Sequence, residues 1–196
     1  GGIGEIRRRA SAGPAVLETL ARADALNSLG LARRPGLWAA RGQEETPLPL
    51  FAVAGIEETH REPEVKLPEM ALGESVHEDY RALRLSLKAH PAGLLRDALL
   101  RQGFVPCARL RDMAQGRPVR VAGLTTARQR PGSAKGVIFI TLEDEGGIGN
   151  VIVHNPVFEA FRRTTLSAGL MGVQGKVQRE GKVIHVVAER LFDLTP

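Results

Sequence analysis

The chain has 196 residues, 43% hydrophobic and 4% aromatic, a length that holds one or two domains. It contains no run of 18 apolar residues to span a membrane, and its one cysteine, Cys107, excludes an internal disulfide framework or a multi-cysteine zinc site. The basic excess is uneven: residues 117–196 carry 11 basic and 7 acidic side chains, against 16 and 15 in residues 1–116.

The opening GGIGEIRRRA has a basic run with no apolar stretch behind it, so it does not read as a secretory signal. With the lone cysteine, this predicts a reducing, cytoplasmic setting. Residues 5–10 look like the end of a basic helix. Pro14 suits the first turn of the next helix, where its missing N–H would be unpaired in any case. Val16, Leu17, Leu20, Ala21 and Ala25 recur at helical spacing up to Gly30. A short helix at 35–40 follows, with Trp38 expected as its core anchor. Residues 1–43 form a small helical segment with too little apolar surface to stand alone.

Residues 44–71 are acidic and proline-rich and read as a linker, in which the apolar run 48–51 could dock on a neighbour. Residues 72–116 turn helical again as a docking segment. Tyr80, Leu83, Leu85 and Leu87 mark one helix. Pro91 breaks the pattern, and Leu94, Leu95, Ala98 and Leu99 mark another, stopped by Gly103. His90, held before a proline, reads as a hydrogen-bonded structural residue.

Residues 117–196 alternate as strands. Strand-like runs fall at 117–128, 137–142, 148–153, 170–178 and 183–191, with a short helix after the third that begins at Asn155-Pro156 and buries Phe158, Phe161 and Leu166. Pro131-Gly132, Gly146-Gly147 and Gly181 punctuate the runs. Gly123 and Gly175 fit barrel bends where a side chain would crowd its neighbour. The fold expected is α+β: small helical N-terminal segments, then a five-stranded β-barrel of the oligonucleotide-binding (OB) type.

Catalytic machinery is not evident. The run Glu143, Asp144, Glu145 is the only acid cluster with a claim on divalent ions, and it reads as a solvated hairpin. No Walker loop, GxGxxG or GxSxG is present, and the five histidines lack metal-ligand spacing. A binding surface remains. In this barrel class the faces of strands two and three, with the loops joining strands one–two and four–five, carry oligonucleotides. Arg120 lies in strand one; Arg128, Arg130 and Lys135 occupy one loop, Arg179 and Lys182 the other. Arg128 and Arg130 are expected to meet phosphates rather than bases. Phe139 is out of step with Ile138, Ile140 and Leu142; it points outward as a stacking platform or covers the barrel under the preceding helices. Asn150 and His154 are read on one face of strand three, where they could hydrogen-bond or stack, unless His154 packs on the helix beginning at Pro156.

Residues 72–194 resemble the C-terminal part of bacterial error-prone DNA polymerases, translesion relatives of the replicative DNA polymerase III alpha subunit (C family). The stretches EDYRALRLSLKAHP, VRVAGLTTARQRPGSAKGVIFITLEDEGG, NVIV, VFEAFRR and VQREGKVIHVVAERL carry the resemblance. The N-terminal RRRASAGPAVLETLARADALNSLGLARRPGLWAARG is similar to the family segment after the tandem helix-hairpin-helix module. The resemblance implies Mg²⁺-dependent nucleotidyl transfer for the whole polymerase only, with palm carboxylates that match no residues here; it implies no cofactor for this chain. It further implies a fragment of a longer protein whose barrel binds single-stranded or primer-template DNA, with translesion accessory proteins and the sliding clamp as partners. On these positions the implied contacts are Arg128, Arg130 and Lys135, then Phe139, Lys176, Arg179 and Lys182. After NVIV the family's aromatic-proline pair is replaced by His154-Asn155-Pro156.

The expected function is therefore a non-catalytic, single-strand-binding region of a damage-induced translesion polymerase. The alternative is a protein-interaction module that docks a polymerase assembly or the clamp.

Overall fold

The computed structural model describes residues 2–42, 67–134, 136–181 and 183–195. Most of the expected linker, including the run 48–51, lies outside the described residues. The chain divides into two compact units, Gly1–Lys88 and Ala89–Pro196, so the division falls inside the 72–116 segment.

In the first unit, helices α1 (Ile3–Ala10), α2 (Pro14–Arg22), α3 (Arg33–Arg41) and α4 (Leu72–Leu83) surround a core of Ile3, Leu17, Ala21, Leu26 and Ala40. Trp38 is not the anchor expected: it is 53% exposed. Arg33, Gly36 and Ala40 form the inward face of α3, and a side chain at position 38 is turned away from that stripe. Arg33, 3% exposed, donates to the carbonyls of Arg22 and Ser75 and to Asp79. Asp79 also accepts from the Ser86 hydroxyl and the Lys88 ammonium, and Lys88 reaches Asp24 at 2.9 Å. Burial pushes the Asp79 carboxyl upward, yet the Ser86, Arg33 and Lys88 donors outweigh it and hold the group below its ordinary range. The leucine pattern overshoots here. α4 stops at Leu83 with Arg84 left-handed, leaving Leu85 and Leu87 exposed instead of on a helical stripe.

The second unit begins with two short helices, α5 (Pro91–Leu94) and α6 (Arg96–Arg101), and a 3₁₀ turn, Cys107–Asp112. His90 does cap α5: its Nδ1 accepts the Ala92 N–H at 3.1 Å. Strands β1 (Pro118–Gln129), β2 (Ile138–Asp144), β3 (Gly147–Val153), β4 (Leu170–Glu180) and β5 (Val183–Asp193) close a barrel in the order β1-β2-β3-β5-β4. Pairing is antiparallel except between β3 and β5. This mixed closed barrel, preceded by small helices, is the α+β architecture expected.

Alternation decides what fills it. Val119, Val121, Ile138, Ile140, Leu142, Val151, Val153, Val173, Val177 and Val186 point inward. Helices α7 (Asn155–Ala160) and α8 (Arg162–Ser167) join β3 to β4, and Phe158 closes the core from α7. Leu166, expected on that buried side, is instead 56% exposed; the break at Phe161 between the two helices shifts the inward position to Thr165. Two glycines permit the bends. A Cβ on Gly123 would lie 2.6 Å from the Glu143 carbonyl oxygen, and one on Gly175 would lie 2.0 Å from that of Val187.

The barrel's outer surface is divided. On the β1–β4 side, Leu99 and Phe104 cover Ala122, and Phe104 lies where any side chain at Gly172 would go. The outward side chains of β2, β3 and β5 keep partial exposure.

Candidate nucleic-acid interface

Strand register organises that outer face into two rows. Gln129 pairs with Phe139, Phe139 with Ile152, Ile152 with Val187, and Val187 with Lys176. The neighbouring row runs Ala127, Thr141, Asn150, His185 and Gln178 by the same pairings. The first row is aromatic and aliphatic and ends in a cation. The second is an almost continuous line of hydrogen-bonding side chains. Ile148, 64% exposed, extends the face beyond Asn150 on β3.

Of the residues expected at a binding site, Phe139, Asn150 and Lys176 lie on these rows. Phe139 is outward and half-buried while Ile138, Ile140 and Leu142 are inward. Lys176 is ion-paired with Glu189 at 3.2 Å. His154 lies just past the end of β3, four positions beyond Asn150, with its backbone still extended. The strand ends at Val153, and His154 is the exposed residue preceding α7. Lys135 and Lys182 lie outside the described side chains.

The arginines divide by partner. Arg128 donates from Nε to the Thr165 carbonyl at 2.8 Å and from Nη2 to the Ala168 carbonyl, satisfying open carbonyls at the end of α8. Partial burial lowers its pKa from the ordinary value. Arg179 likewise donates to the carbonyls of Met113 (2.9 Å) and Arg111 at the end of the 3₁₀ turn. Arg120 donates to the Gln102 carbonyl at 2.7 Å and lies 4.5 Å from the Phe104 ring and 5.0 Å from that of Phe192. These three guanidinium groups hold backbone in place. Arg130 is exposed at the start of the β1–β2 loop, 5.2 Å from the Phe158 ring, with no carboxylate partner among the described residues.

The acidic turn is not the solvated hairpin expected. Asp144 is 3% exposed and accepts the Cys107 and Gly146 N–H groups at 2.8 Å each. Arg96 bridges Asp144 at 3.0 Å and also grips Glu145. Hydrogen bonding to Arg96 holds the Glu145 carboxyl below its usual range. Burial, with Asp144 beside it, pushes the Cys107 thiol far above its ordinary value, so it offers no thiolate. Among the described residues no group of three His, Cys, Asp or Glu could hold a metal ion. The Mg²⁺ that the resemblance attaches to a whole polymerase therefore finds no donor set among them, because Arg96 already occupies both turn carboxylates.

Sequence reasoning missed Gln129, Thr141, Ile152, Gln178, His185 and Val187. Period-two stepping from Phe139 and Asn150 marks Thr141 and Ile152, but the β3–β5 pairing that adds His185 and Val187 joins strands some 35 positions apart. A cleft of about 370 Å³ opens beside the second row, between the 3₁₀ turn and the start of β5. Its walls include Leu110, Arg111, Ile148, Asn150 and Val183.

No protein-family model matches the chain. It is 50% identical over 185 residues to "Error-prone DNA polymerase 1" of Rhizobium meliloti, covering 92% of this chain and 17% of that protein. It is 49% identical over 189 residues to "Error-prone DNA polymerase" of Ruegeria pomeroyi, covering 96% and 17%. The chain thus spans less than a fifth of the length of these curated relatives. Among solved structures, asparaginyl-tRNA synthetase from Pyrococcus horikoshii aligns over 46% of this chain and 22% of that one, at 26% identity and a TM-score of 0.40, a likeness too slight to speak to function.

Proposed function

We propose, from the homology of this chain over most of its length to bacterial error-prone DNA polymerases, that its barrel binds single-stranded DNA without itself catalysing nucleotide transfer. In this reading the whole protein carries out translesion synthesis, and this region holds the unpaired strand. The observation that carries it is the double row on the outer face of β2, β3 and β5. Phe139, Ile152 and Val187 offer an apolar platform for base stacking, while Thr141, Asn150, His185 and Gln178 offer donors and acceptors alongside. Arg130 is the described loop cation best placed for phosphate. The basic excess of residues 117–196 supports a polyanion ligand.

Titration of fluorescent single-stranded DNA with the full chain at about 50 and 200 mM salt tests this. Affinity should fall as salt rises, and duplex DNA of the same length should bind more weakly. Undetectable or salt-independent binding overturns the reading. Nuclease-insensitive capture of accessory proteins, with no DNA affinity, would instead make the face a protein-docking surface.

A further inference from the structure

We propose that the cleft beside the second row receives one unstacked adenine base of the bound strand and that Asn150 reads it. This rests on the single-strand reading above and makes it more specific. The cleft, about 370 Å³, falls at the small end of ligand-sized pockets. Leu110, Ile148 and Val183 supply aliphatic walls suited to the faces of a flat ring. The lining chemistry is otherwise sparse. The Asn150 amide has no hydrogen-bonding partner among the described residues, and the Arg111 guanidinium, exposed at the 3₁₀ turn, has none either. Among the described residues no carboxylate lines the cleft, and Asp144 and Glu145, which lead to its Gly146 wall, are engaged by Arg96.

Asn150 belongs both to the second row and to the cleft wall, flanked in register by Thr141 and His185. A strand lying on the platform can therefore turn one base past Asn150 into the cleft while Arg111 meets the adjoining phosphate. An asparagine amide accepts from one ring substituent and donates to a neighbouring ring nitrogen. Adenine matches that pair with its N6 amine and N7. Paired and stacked adenine also shows this edge in the major groove, but only an unstacked base can carry it into a cleft between aliphatic walls.

The test uses the full chain and oligothymidylate of roughly twelve nucleotides, within the site size of one such barrel. One adenine is walked along the oligomer, and each adenine is compared with purine, which lacks the N6 amine. At the position facing the cleft, adenine should bind about tenfold tighter than thymine, and purine should lose that gain. Asn150→Ala should abolish the preference for adenine over purine and thymine at that position, a ratio that stays readable even where overall affinity falls with loss of a residue of the binding face. The side chain is outward and unpartnered, so folding is not at stake, and the purine comparison needs no variant. Equal binding of thymine, adenine and purine at every position overturns the proposal while leaving single-strand binding intact. So does an Asn150→Ala chain that still prefers adenine. Absence of binding to any oligomer overturns both readings.

Discussion

At the scale of single residues, similar side chains have different work. Arg128 and Arg130 are two positions apart in a sequence with no acid nearby, yet Arg128 terminates α8 and Arg130 stands free of carboxylates. Arg128→Ala should lower the melting temperature and leave the salt slope of single-strand binding almost unchanged. Arg130→Ala should do the reverse, reducing the slope by about 0.7 if it meets one phosphate of a single strand. Thermal unfolding and salt-dependent titration of both variants separate the two. Phe139 is the aromatic of the first row, so Phe139→Ala should weaken single-strand binding by about 1–3 kcal/mol with little change in stability. A variant that loses its fold instead would make Phe139 a structural cover.

Elements are governed by close approach. β4 bends where its register shifts between Gln174 and Gly175, and the Val187 carbonyl occupies the space a Cβ at Gly175 would need. A flexible neighbour could yield, but a backbone oxygen inside a paired strand cannot do so without breaking the ladder. Gly175→Ala is expected to destabilise the chain by about 3 kcal/mol or more, at or beyond the upper end for overpacking, as read by chemical denaturation. An alanine variant of wild-type stability would show that the β4–β5 pairing relaxes. The β2–β3 turn follows similar logic. Asp144 is buried because it collects two backbone N–H groups and Arg96, joining α6, the 3₁₀ turn and the barrel.

Across the whole molecule, each unit contains a carboxyl held below its ordinary range: Asp79 in the first, through Ser86, Arg33 and Lys88 against the pull of burial, and Glu145 in the second, chiefly through Arg96. A depressed folded pKa means that the unfolded chain binds the proton more readily. The associated stability is present above the unfolded values of about 3.9 and 4.3, and it is lost as pH falls through the lower folded values. Melting temperature should therefore be level above about pH 5 and fall steadily below about pH 4. A melting temperature independent of pH across that lower range would contradict the assignment of both networks.

Period-two alternation, glycine placement and turn residues were enough to derive the closed barrel, the outward position of Phe139 and the bends at Gly123 and Gly175, because each is a local consequence of strand geometry. His90 was legible for the same reason, since a residue before proline is confined to the backbone that an N-cap needs. Tertiary structure decided the rest. Trp38 is exposed because small residues on α3 face the core, and Leu166 is exposed because α7 and α8 break at Phe161. Whether an arginine meets solvent or a distant carbonyl, as Arg128 and Arg179 do, depends on which helix end folding brings beside it. Both rows of the face continue past β3 only because β3 and β5 pair in parallel. A sequence specifies which way each strand's side chains point, but which strands become neighbours is settled by burying all five inward faces at once.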